Sequence, residues 1–133
     1  MKQILYIIQL LHLCIDIFNS TYIFIFPAKY DIYYVSWILF MVVHWFFLKN
    51  ECVIGYIEKK IMNPKYVLGS NPYYLPYQHI FYDKMNIMFL SKTFLINASL
   101  LYITYRSFNM TTKYIAVSAF CLYMIALYKS TRG

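Results

Sequence analysis

The sequence predicts an all-α membrane protein in which four transmembrane helices form two antiparallel hairpins, with a short amphipathic helix in the middle loop. Three observations carry that expectation. Four long apolar runs, Ile4–Phe26, Ile32–Leu48, Ile87–Tyr105 and Tyr114–Tyr128, fill most of the 133 residues, and each is bounded by charge or proline. Apolar residues make up 62% of the chain and charged residues 13%, against about 45–50% and about 25% in soluble domains. Most of the cations collect at the ends of the runs rather than inside them.

A bilayer core about 30 Å thick needs roughly 17–25 apolar residues of helix rising about 1.5 Å each. The first three runs meet that length. The fourth is short and spans only if the flanking Lys113 and Lys129 snorkel. The first run is too long for a signal-peptide core of about 7–15 residues, so it is expected to be a retained helix. Tyr30, Tyr33, Tyr34, Trp37, Trp45, Tyr102 and Tyr105 lie near span ends, where amphipathic rings favour the headgroup layer.

The stretch from Pro27 to Asp31 is long enough only to turn the chain, which places the first two spans in direct contact as a hairpin. Ser107 to Thr112 does the same for the last two. Between the hairpins, Glu51 to Met62 sets Val53, Ile54, Ile57 and Ile61 against Glu58, Lys59 and Lys60. That pattern is an amphipathic helix, read as the end of the second span running out along the interface. Asn63-Pro64 stops it. The stretch from Gly69 to Tyr77, rich in turn formers and tyrosines, could dock a partner or lie on headgroups. The whole of 1–133 forms a single integral membrane domain.

A net charge of +7 would suggest nucleic acid in a soluble protein. Here no stacking groove or basic stripe is visible, so no nucleic acid is expected, and the bilayer itself is the first partner. Lys2, Lys49, Lys59, Lys60, Lys65, Lys84, Lys129 and Arg132 fall on one side of a four-span topology, and only Lys29, Arg106 and Lys113 on the other. The positive-inside rule then places both termini and the middle loop in the cytoplasm.

The strongest site-like pattern lies in the first span. Gln9, His12, Asp16, Asn19 and Ser20 recur at helical spacing on one face. An aspartate at mid-bilayer costs about 2.5–3.5 kcal/mol on insertion scales, so this face must point into the bundle and find partners. Depth arguments bring His44 of the second span and Lys92 of the third to the same level, with Glu51 two helical turns beyond His44 on the same face. The candidate cluster is therefore His12, Asp16, Asn19, His44, Glu51 and Lys92.

Three readings of the cluster stay open. It could hold helices together within a structural or scaffolding protein that has a protein partner or self-associates, which is the leading expectation. It could line a proton or ion path or bind a small polar ligand. It could serve an enzyme with a site near His44 and Glu51, which requires a cavity reaching those residues.

No metal-ligand spacing joins His12, Asp16, His44, Glu51 and His79, and no nucleophile elbow or phosphate loop occurs, so neither metal nor cofactor is expected. Cys14, Cys52 and Cys121 form no CxxC pair and suggest no disulfide framework. Cys14 and Cys121 read as small buried hydrophobes.

The stretch His44-Trp45 through Asn50-Glu51-Cys52, then Tyr56 to Lys60 and Asn63 to Gly69, resembles short multi-pass membrane proteins of large nucleocytoplasmic DNA viruses. The resemblance covers about a fifth of the chain. It implies a setting, a viral or virus-modified membrane (virion or host), and no catalytic residue. It also marks His44…Glu51-Cys52 as a grouping at the cytoplasmic boundary.

Overall fold

The computed structural model describes residues 2–70 and 84–132. Among the described residues, five α-helices follow in order: α1 (Lys2–Ile25), α2 (Asp31–Phe47), α3 (Val53–Met62), α4 (Met85–Arg106) and α5 (Met110–Arg132), with a 3-10 turn at Ala28–Tyr30 before α2. Four of them, all but α3, are long and apolar enough to cross a bilayer. The protein is an all-helical, multi-pass membrane protein. The expected stretch from Asn71 to Tyr77 and His79 lie outside the described residues.

The fourth span is longer than its apolar run. It covers 23 residues and carries Lys113 and Lys129 within its length. The polar residues Thr111, Thr112 and Lys113 join the helix because Asn109 caps it, its Oδ1 accepting the amides of Thr111 (2.8 Å) and Thr112 (3.4 Å). The connection from α4 shrinks to Ser107, Phe108 and Asn109.

The closest helix packing joins α2 to α5 and α4 to α5, then α1 to α4, while α3 folds back along α1. Val35, Ile38 and Val42 of α2 meet Ile96, Leu100 and Ile103 of α4 and Ala116 and Ala119 of α5 in the apolar core. The alanines let α5 approach closely, as small residues do where lipid supplies no hydrophobic drive for helix association. α1 and α2, expected from the short turn to pack directly, are not among the closely packed pairs and meet through large side chains. Tyr22 and Tyr34 stack at 4.1 Å, the Tyr34 hydroxyl donates to the Asn19 carbonyl (2.6 Å), and Trp37 Nε1 donates to Asn19 Oδ1 (2.9 Å). These rings act as spacers at the turn end of the pair and leave room between α1 and α2 toward the other end.

At the turn end, Asp31 receives a two-pronged contact from Arg106, Nε to Oδ2 at 2.8 Å and Nη2 to Oδ1 at 2.5 Å, and a third bond from the Tyr22 hydroxyl at 2.9 Å. The carboxylate is 2% exposed. A planar guanidinium matches a carboxylate in this way, and the pair ties the starts and ends of three spans together.

Two sequence expectations for the middle loop are corrected. α2 does not run on through Glu51: Lys49 (φ 54°) and Asn50 (φ 66°) are both left-handed, which breaks the helix and turns the chain. Glu51 is therefore not two turns along the His44 face. Its carboxylate instead accepts bonds from Lys59 Nζ, the Tyr66 hydroxyl and the Gly69 amide, the last at 2.8 Å. Burial alone would raise the Glu51 carboxyl, but these donors outweigh it and hold it below the usual carboxylate range. Gly69 sits at φ 89°, a conformation glycine adopts without strain, which lets its amide face Glu51.

The amphipathic helix is present as α3, stopped at Met62 as expected, but its faces are distributed differently. Val53 and Ile57 stand exposed, whereas Glu58 and Lys59 turn inward. Both charges find partners inside, Glu58 against His12 and Lys59 against Glu51.

Candidate functional site

The inward face of α1 is almost wholly polar. Gln9, His12, Asp16, Asn19 and Ser20 are all buried, with Tyr22 beside them. Ser20 satisfies itself by donating to the Asp16 carbonyl (2.8 Å). Asn19 is used up against Trp37, Tyr34 and the Met41 sulfur, so it links α1 to α2 and stands apart from the remaining cluster.

Below Asn19, where α1 and α2 separate, lies a cavity of about 490 Å³. Of the six residues proposed from sequence, His12, Asp16, His44, Glu51 and Lys92 all line it. Asp16 Oδ2 stands 3.4 Å from Lys92 Nζ and 3.9 Å from His12 Nε2. Asp16 thus lies between Lys92 of α4 and His12 of its own helix.

Two residues outside the six complete the group: Cys52, which the resemblance had set beside His44 and Glu51, and Glu58, which the sequence reading passed over. Cys52, the residue before α3, places its Sγ 3.8 Å from His12 Nε2. Glu58, one and a half turns into α3 and fully buried, places Oε1 3.3 Å from His12 Nδ1. His12 Nδ1 thus lies against the Glu58 carboxyl while Nε2 lies against the Cys52 sulfur, so one imidazole bridges the two. The Nε2–Sγ contact is close enough for a proton to pass between them. His44 approaches from α2, its Nε2 accepting the Val53 amide at 3.2 Å. Burial works against ionisation of Cys52, but the imidazoles of His12 and His44 outweigh it and push the thiol down to about 5.

Local sequence explains the placement. The left-handed pair Lys49–Asn50 reverses the chain after α2, and the Glu51 bonds to Lys59, Tyr66 and Gly69 hold the start of α3 and the following loop together. Cys52 is thereby held at the mouth of α3 against His12. Six residues separate Cys52 from Glu58 in sequence, and the helix brings both to the same imidazole. His44 is three residues from the end of α2, about 4.5 Å along its axis, so the site lies at the boundary end of that span.

The chain matches no protein-family model, no curated protein and no solved structure. The site is therefore argued from its own chemistry. Cys14 and Cys121, expected as buried, are exposed on the outer faces of α1 and α5, where the bilayer surrounds them, so a small apolar thiol there meets lipid. Among the described residues, no three His, Cys, Asp or Glu side chains are grouped to hold a metal ion.

The walls of the cavity differ from its polar end. Trp37, Phe40 and Met41 of α2, Phe89 of α4 and Leu127 of α5 supply an apolar lining. A pocket with apolar walls and a few convergent polar groups is the usual form of a small-molecule site, and its volume falls within the common range of about 300–1,000 Å³.

Asp16 and Lys92 tie α1 to α4 across this space. Asp16→Leu and Lys92→Leu are each expected to lower resistance to detergent unfolding, because each strands a charge in an apolar surrounding. The double replacement should recover part of the loss, but not all, since Asp16 also faces His12. A double-mutant cycle in mixed micelles checks this, and zero coupling would remove the ion pair from the account.

Proposed function

We propose that the protein is a membrane-embedded acyl-transfer enzyme, with Cys52 as nucleophile, His12 as general base and acid, and Glu58 as a positioning residue. The observation that carries the reading is the bridge His12 makes between the Cys52 sulfur and the buried Glu58 carboxylate at the wall of a cavity. A scaffold would need neither the cavity nor a thiol placed on an imidazole. An ion path would leave Cys52 without a role.

Cys, His and carboxylate in this order suit the splitting of an ester or thioester. The Cys52 thiol gives its proton to His12 Nε2, and Sγ attacks the acyl carbonyl carbon. The tetrahedral adduct collapses, the bond to the leaving sulfur or oxygen breaks, and His12 returns the proton to that leaving group. Water, or the hydroxyl or amine of an acceptor, then attacks acyl-Cys52. His12 takes its proton and hands it to the departing Cys52 sulfur. Ile54 and Gly55, in the first turn of α3, are on the cavity wall, and first-turn amides, which lack intrahelical acceptors, are the donors this reading gives the developing oxyanion.

The charge asymmetry supports a cytoplasmic position for this end of the bundle. The resemblance in the middle loop is the support for a viral or virus-modified membrane as its setting.

Purified protein in liposomes should cleave a small thioester, S-acetyl-N-acetylcysteamine, releasing free thiol, and Cys52→Ser should abolish the release. Folded wild-type protein that neither releases thiol nor accumulates acetyl-Cys52 by mass spectrometry would overturn the reading.

A further inference from the structure

We infer that the acyl group this site handles is a long hydrocarbon chain entering sideways from the bilayer, with the chain in the cavity between α1 and α2 and its carbonyl at Cys52. The inference rests on the acyl-transfer reading and adds the substrate class.

The cavity wall itself carries the first argument. Trp37, Phe40 and Phe47 belong to it and are also exposed on the outer face of α2, Phe40 at 64% and Phe47 at 81%. The outer surface of a membrane-spanning helix meets lipid chains, so the rim of the cavity is wetted by hydrocarbon. A water-borne polar substrate would have to cross that rim. A chain already in the bilayer would not.

The second argument is the division of the cavity along its length. Trp37, Phe40 and Met41 lie toward the Asn19 contacts that close the α1–α2 gap, whereas Cys52, His12 and His44 lie toward the boundary end of α2. A chain following the helices would lie with its apolar tail on the rings and its carboxyl-derived end at the thiol. Lipid thioesters and esters have this order, with the reactive group at the headgroup level. Moving a chain from bilayer to cavity exchanges one apolar medium for another, so the apolar fit sets which substrates reach the thiol and the polar end sets where they stop.

The test uses wild-type protein in phosphatidylcholine nanodiscs, offered palmitoyl-coenzyme A or acetyl-coenzyme A, with acylation at each cysteine read by mass spectrometry. Cys14 and Cys121 face lipid and report acylation by partitioning alone. Palmitoylation of Cys52 is expected to exceed both its acetylation and the palmitoylation of Cys14 and Cys121 by about tenfold or more. Ile15→Trp, which narrows the cavity from α1, should lower the ratio of palmitoyl to acetyl transfer. Equal rates with the two donors, or equal palmitoylation of all three cysteines, would overturn the chain assignment. Acetylation of Cys52 without palmitoylation would also overturn it while leaving the acyl-transfer reading standing. A folded protein acylated by neither donor would remove both.

Discussion

Replacing Arg106 with leucine is expected to destabilise the protein by about 3–5 kcal/mol, because it leaves Asp31 as an unpaired buried charge. Asp31 is 2% exposed and has Tyr22 as its other partner, a hydroxyl that cannot neutralise it. Asp31→Leu is expected to be costly as well, since it removes the acceptor for both Arg106 and Tyr22. The double replacement should recover much of the loss, because two apolar side chains need no partners. Unfolding in mixed micelles of increasing denaturing detergent checks all three. Two small single effects with no recovery in the double variant would show that the pair does not hold the turn end together. The proposed acyl-transfer site is at the other end of the bundle, so these variants separate stability from chemistry.

The second large effect concerns His12. In the proposed mechanism His12→Ala removes the base that takes the Cys52 proton and the acid that returns it, and such groups contribute about 10²–10⁴-fold to rate. Thioester cleavage should fall by that order while acyl-Cys52, once formed by a reactive donor, persists longer. Glu58→Gln should give a smaller loss, since the amide still holds the ring but can present its donor to Nδ1 and favour the wrong tautomer. If His12→Ala left the rate of thioester cleavage within about twofold of wild type, no general base would be acting there.

Four spans were legible in the sequence because bilayer thickness sets a length that apolar runs must reach, and the runs reach it. The inward polar face of α1 was legible for a related reason: Gln9, His12 and Asp16 fall at helical spacing, and lipid cannot solvate them. The level of Lys92 followed from counting residues along antiparallel helices. Other features depend on conformations that pattern does not encode. The break at Lys49–Asn50 rests on two left-handed residues, and lysine gives no signal for that state. Without that break Glu51 seemed to continue the His44 face, and the reversal that brings Cys52 to His12 could not be foreseen. Glu58 was hidden by a rule for soluble helices, where a charge beside two lysines belongs on the wet side. In a bundle surrounded by lipid the same residue turns inward to a histidine 46 positions earlier. The nearest available signal was the six-residue Cys52–Glu58 spacing next to an unassigned buried His12.

The most direct test is the pH dependence of Cys52 alkylation. In a Cys14→Ser, Cys121→Ser background, Cys52 is the single remaining thiol of the three in the chain. Its rate with iodoacetamide in nanodiscs follows the thiolate fraction. With the thiol pushed down to about 5, the rate should rise through that pH and be level by neutrality. His12→Asn should move the rise upward toward the ordinary thiol range near about 8.5. A wild-type profile that rises only above about pH 8, unchanged by His12→Asn, would contradict the account, since Cys52 would then be an ordinary cysteine beside a histidine that does nothing for it.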